Sequence, residues 1–170
     1  MIRNQIIIFI CILGCFTSCI KQRPQLPANK GNVADKNIAE LLEINQNLAV
    51  KEDSVIKAYV QHDTAFKKSE MGFWYKISNA NNNPFIKNEA NCIFTCKLML
   101  LNGKVLQVDE KNVIIGKKQV VTGLEEGLKL MHKGESATFV IPWYLGYGMK
   151  GDEPLVPPYT SLIYQIKLLN

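Results

Sequence analysis

Few side chains in this 170-residue chain are of a kind that makes or breaks bonds, and their spacing argues against that use. After residue 19 the cysteines are Cys92 and Cys96, and the whole chain holds two histidines, His62 and His132. Residues four apart on one strand have Cα atoms roughly 13 Å apart, and a disulfide needs less than about 7 Å. Cys92 and Cys96 are therefore expected not to bridge each other. Two histidines so far apart give no zinc-ligand spacing. Both cysteines read instead as small buried apolar residues. No nucleophile with a base, metal cage or phosphate cradle stands out. What remains is the stretch from Gly116 to Pro158, GKKQVVTGLEEGLKLMHKGESATFVIPWYLGYGMKGDEPLVPP. Its chemistry is that of a shaped apolar pocket.

The elements that must position such a pocket follow from local pattern. Thr122 and Glu125 have the spacing of a T-x-x-E capping box at a helix start. Leu124, Leu128 and Met131 make one stripe, and Gly134 suits the left-handed position after the helix. Ser136 to Ile141 reads as a strand. Ser161 to Leu168 alternates, with Leu162, Tyr164, Ile166 and Leu168 on one face. Upstream, Asn91 to Leu101 is a long strand apolar on both faces, hence central. Asn102-Gly103 favours a tight turn, since both residues tolerate positive φ. Lys104 to Val108 returns antiparallel, and Val113 to Ile115 reads as another short strand. Gly72 to Ile77 is strand-like. Asp35 to His62 lacks Gly and Pro and has helical spacing, as one interrupted helix or two short ones, with an apolar stripe that packs on the domain. The sum is an α+β class: an antiparallel sheet of five to six strands on one short helix, with a helical N-terminal extension.

The N-terminus reads as a targeting segment. Arg3 precedes the apolar run Ile6 to Phe16, which is too short for a span of roughly 20 residues and suits a secretory signal. Phe16-Thr17-Ser18-Cys19 resembles a bacterial lipobox, with Cys19 as the lipidated residue. Cys15 after Ile12-Leu13-Gly14 is the alternative, as is an uncleaved anchor or a plain cleaved signal. Residues 1–18 are then a lipoprotein signal, 19–34 a Pro- and Gly-containing tether and 35–70 the helical extension. Ile20, Lys21 and Gln22 include no acidic residue, which by resemblance to other lipoproteins suggests the periplasmic side of an outer membrane. The formal net charge of +5 is scattered, without aromatics interleaved in a basic stripe, so nucleic-acid binding is not expected.

From Gly116 onward the pattern resembles the FKBP-type peptidyl-prolyl isomerases. The motifs are Val120-Val121-Thr122-Gly123-Leu124-Glu125-Glu126-Gly127, then Gly134-Glu135, Val140-Ile141-Pro142, Tyr147-Gly148, Leu155-Val156-Pro157-Pro158, and the closing strand Ser161 to Leu169. The lipobox, the helical extension and Gly72-Phe73-Trp74-Tyr75 are also similar to FKBP-type lipoproteins associated with gliding motility. The resemblance implies that residues 71–170 form an isomerase domain, a half-open sheet wrapped on the helix with an apolar pocket between. It implies cis–trans isomerisation of Xaa–Pro bonds in polypeptide substrates, without cofactor or metal. The alternative is a weakly active chaperone or assembly module in an envelope complex.

Residue by residue, the Val121 amide matches the donor to bound peptide and Tyr147 the pocket tyrosine. Val120 matches the pocket wall, Leu124 its floor, Leu155 and Val156 the overhanging loop, and Tyr164 a closing-strand aromatic. Departures cluster on the other wall. Cys96 stands at a tyrosine position, Leu106 and Gln107 replace a Phe-Asp pair, and Lys111 falls at an aromatic position. The resemblance thus implies a less aromatic pocket without its usual carboxylate.

Overall fold

The structure is a computed structural model that describes residues 31–169; Cys19, Cys15 and the apolar run before them lie outside the described residues. The chain divides into two units, Met1–Leu41 and Leu42–Asn170, and the second holds the sheet and the short helix. Helix α1, Gly31–Val60, is one continuous helix rather than an interrupted one, and it starts inside the stretch read as a tether. Residues 32–60 contain neither Gly nor Pro to break it. Among the described residues no helix is long and apolar enough to cross a membrane.

Six strands form one antiparallel sheet: β1 Lys67–Lys68, β2 Trp74–Ser78, β3 Asn91–Leu100, β4 Val105–Ile114, β5 Ser136–Ile141 and β6 Leu162–Leu168. Their order is β1-β2-β5-β6-β3-β4. The inner face of the centre comes from alternate residues, Cys92, Phe94, Cys96 and Leu98 of β3 and Leu162, Tyr164, Ile166 and Leu168 of β6, all buried. The outer face carries Met99, Val140 and Ile163, and the end of α1 covers these with Ile56 and Val60. Only that part of α1 packs deeply. Leu42, Ile44, Val50 and Val55, expected in the same stripe, remain exposed.

Strand β4 corrects two expectations. The two short strands read at Lys104–Val108 and Val113–Ile115 are one strand of 10 residues. Its pairing with β3 also slips: Leu98 faces Gln107 while Met99 faces Val105, which leaves Leu106 as the extra residue of a bulge. The turn before it is as expected, with Gly103 at φ 85° and its N–H bonded to the Leu100 carbonyl at 2.9 Å.

Helix α2, Thr122–Lys129, lies across the inner face and buries Leu124 and Leu128. The expected capping box does not form. Val121 is the N-cap, no side chain caps the helix, and Thr122 is already its first residue. Glu125 turns outward from the helix instead. Its Oε1 accepts the Gly116 N–H at 2.8 Å and the Lys118 N–H at 3.1 Å, so the carboxylate pins the loop that leads into α2. Two glycines bring the helix close to β5. A Cβ on Gly123 would come within 2.6 Å of Ile141, and one on Gly127 within 2.7 Å of the Phe139 ring. Glu135, buried to 2% exposure, repeats the pinning device, accepting the His132 and Asn81 N–H groups at 2.8 and 3.0 Å.

Candidate active site

The end of α2 that begins at Val121 opens onto a slot of about 60 Å³ against the sheet. That is the size of a single ring rather than of a whole small-molecule ligand, which fills roughly 300–1,000 Å³. Each element supplies residues to it for a local reason. The loop pinned by Glu125 presents Gln119, Val120 and Val121. The first turn of α2 puts Leu124 on the floor, at 1% exposure. Alternation on β3 and β6 delivers Cys96, Leu98 and Tyr164 from the inner face. Tyr147 enters from the loop after the short 3-10 turn Trp143–Leu145; backbone bonds of that loop, Gly148 N–H to Trp143 carbonyl at 2.8 Å and Gly151 N–H to Tyr147 carbonyl at 3.2 Å, hold it there.

The remaining wall is polar. Register pairs Gln107 with Leu98 and Asp109 with Cys96, so both share the inner face, and Lys111 follows two residues on. Asp109 Oδ2 accepts from Gln107 Nε2 at 3.0 Å and from Lys111 Nζ at 2.9 Å. No described residue accepts the N–H of Val121, which sits at the mouth of the slot with extended backbone, φ −60° and ψ 148°.

Comparisons with known proteins bear on the family and the fold. The family model described as FKBP-type peptidyl-prolyl cis-trans isomerase matches residues 82–169, just over half of the chain. The chain belongs to that family. A probable FKBP-type peptidyl-prolyl cis-trans isomerase from Haemophilus influenzae is 34% identical over 107 residues, covering 61% of this chain and 44% of that protein. The chain thus spans under half the length of that curated relative. Crystal structures share the fold. FkpA from Escherichia coli aligns with a TM-score of 0.62 at 21% identity, over 99% of this chain and 81% of its own. A peptidyl-prolyl cis-trans isomerase from Pseudomonas syringae aligns at 0.63 and 21%, over 72% and 92%.

In this FKBP-type chain the slot gathers Cys96, Gln107, Val120, Val121, Leu124, Tyr147 and Tyr164 from the residues expected of it. Three others lie outside its lining. Leu106 is displaced by the bulge and packs, half-buried, against the core. Val156 folds inward to 1% exposure, where it bridges Asp152, and Leu155 packs beside it on the core. Gln107 lines the slot where the usual carboxylate was expected to be missing, and Asp109, two residues further along β4, brings a different carboxylate to the same wall. Asp109, Leu98 and Gln119 were not singled out from sequence. The alternation of Gln107, Asp109, Lys111 and Val113 on β4 was the signal that could have found Asp109.

Electrostatically the slot is an apolar floor beside an ion pair. Burial pushes the Cys96 thiol up to about 11, with Asp109 adding to the rise and Lys111 opposing it. Burial, then the neighbouring Tyr147 hydroxyl, holds the Tyr164 phenol well above its ordinary range. The hydrogen bond to Asp109 raises the Lys111 ammonium, which stays charged. Cys92 and Cys96 are both free and buried.

Proposed function

We propose that this chain catalyses cis–trans isomerisation of Xaa–Pro bonds in exported or envelope polypeptides, held to a membrane by a lipid on Cys19. The observation that carries the catalytic reading is the slot itself: a ring-sized apolar floor with an unspent amide donor, Val121, at its mouth and a tyrosine beside it. The barrier to rotation, roughly 18–20 kcal/mol, comes from amide resonance. A twisted imide has lost that resonance and is less polar, so a dry cavity holds it better than it holds the planar ground state. In this reading the prolyl ring rests on Leu124 and Tyr164. The Val121 N–H and the Tyr147 hydroxyl donate to carbonyl oxygens of the bound peptide, fixing its frame while the bond turns. Nothing is bonded covalently, so no nucleophile is needed.

Exchange spectroscopy on an Xaa–Pro peptide, with the soluble chain beginning after Cys19, tests the activity. Faster exchange is expected, and equal rates with and without tens of micromolar protein would sink it. The membrane half of the proposal is supported by the lipobox-like Phe16-Thr17-Ser18-Cys19, and the absence of acidic residues just after it favours an outer membrane, periplasmic side. Mass spectrometry of the membrane-extracted protein should find acyl chains on an N-terminal Cys19; acylation at Cys15, or an uncleaved leader, would overturn that assignment. The resemblance of the lipobox, the helical extension and Gly72-Phe73-Trp74-Tyr75 to gliding-motility lipoproteins supports a reading in which its clients belong to the envelope.

A further inference from the structure

We propose that Lys111 is a specificity-determining residue of the slot, selecting polypeptides with a carboxylate side chain next to the proline. This rests on the isomerase reading above and deepens it. The slot has unlike walls, with Cys96, Leu98 and Leu124 forming an apolar side and Gln107, Asp109 and Lys111 rising from β4 on the other. A prolyl ring on the apolar floor leaves the adjoining residue of the peptide at the polar wall. The charges there are not equally available. Both of the bonds found on Asp109 converge on Oδ2, one from Gln107 and one from Lys111, so the carboxylate is pinned between two donors. The Lys111 ammonium has three donors. One is used on Asp109, and no other described residue accepts from it. Its side chain is 32% exposed, partly out of water yet open to the slot.

The wall therefore offers a positioned cation with two unspent donors beside a carboxylate that already holds two donors on Oδ2. An Asp or Glu beside the proline gains a charge-assisted hydrogen bond to Lys111, while a Lys or Arg there meets a like charge. Asp109 acts as the positioning residue for that cation, and Gln107 for Asp109.

The test measures kcat/KM of the full chain in detergent on paired peptides carrying Glu, Gln or Lys immediately before or immediately after the proline. In at least one of the two positions Glu should exceed Gln and Gln exceed Lys, with a Glu-to-Lys ratio of about two- to fivefold at low salt, the scale of a partly exposed ion pair. The ratio should shrink toward one in high salt. Lys111→Met should bring it to one, Lys111→Arg should retain it and Lys111→Glu should reverse it. Because the ratio is taken within one sample, a partly unfolded variant still reports it. Equal rates for Glu and Lys in both positions of the wild type overturn the proposal, as does a ratio that survives Lys111→Met. If no peptide is accelerated, Gln included, the isomerase reading falls with it.

Discussion

Cys92 and Cys96 place two thiols in the core, at 0% and 2% exposure, and burial raises both to about 11 from an ordinary value near 9. The folded state therefore holds its thiol protons more tightly than the unfolded chain. Their contribution is fully present below the unfolded value and is lost as pH rises between about 9 and 11. The denaturant midpoint should fall over that window, and a Cys92→Ala, Cys96→Ala chain should fall less; identical slopes would refute the linkage. Gln107 makes a second prediction. Its amide donates to Asp109, so Gln107→Asp places two carboxylates side by side and removes a donor. The substitution should lower the exchange rate by about fivefold, the equivalent of ~1 kcal/mol, where comparison with the family pattern alone expects a gain. Seven of the expected pocket residues were legible because motif spacing near the helix is rigid. Asp109 was not, because alignment compares positions one by one and does not see that every second residue of β4 faces the slot.

Helix α2 owes its closeness to β5 to glycines, and here two general effects compete. Ala at Gly127 would favour the helix by about 1 kcal/mol on propensity alone. Its Cβ would also press to within 2.7 Å of the ring of Phe139, which is fully buried, so that the ring or the helix must move. Overpacking of that kind costs about 1–3 kcal/mol. Gly127→Ala should therefore destabilise, measured as a lower denaturant midpoint, and a rise would show that Phe139 yields. The same helix shows why cap motifs mislead. T-x-x-E was present in sequence, but Glu125 reached the unpaired Gly116 and Lys118 amides, a competition that local spacing does not register. Element types were readable from periodicity, whereas the joining of two β4 segments into one strand depended on pairing with β3.

Across the molecule, the sheet is covered on both sides, by α2 within and by the last turns of α1 without. The sequence showed a helix before the domain but not which face it would cover, since apolar period says nothing about a distant partner. Ile56, at 1% exposure, sits over Met99, Val140 and Ile163. Ile56→Ala should cost about 2–5 kcal/mol, read by chemical unfolding. A chain begun at residue 71 should unfold earlier than one begun at Leu42, and equal midpoints would show that the helix adds no support.

Leu106, the spare residue of the β4 bulge, has a consequence for how the protein could diverge. A shift of one residue turns every side chain of a strand to the opposite face. Deleting Leu106 would join Val105, opposite Met99, directly to Gln107, opposite Leu98, so the ladder would close in register and Gln107 and Asp109 would keep facing the slot; deleting Val108 instead would put Asp109 opposite Lys97 and bring Glu110 opposite Cys96. The gene could thus lose the bulge codon and keep the wall, whereas the loss of one codon two places further on would turn the wall over and leave the floor untouched.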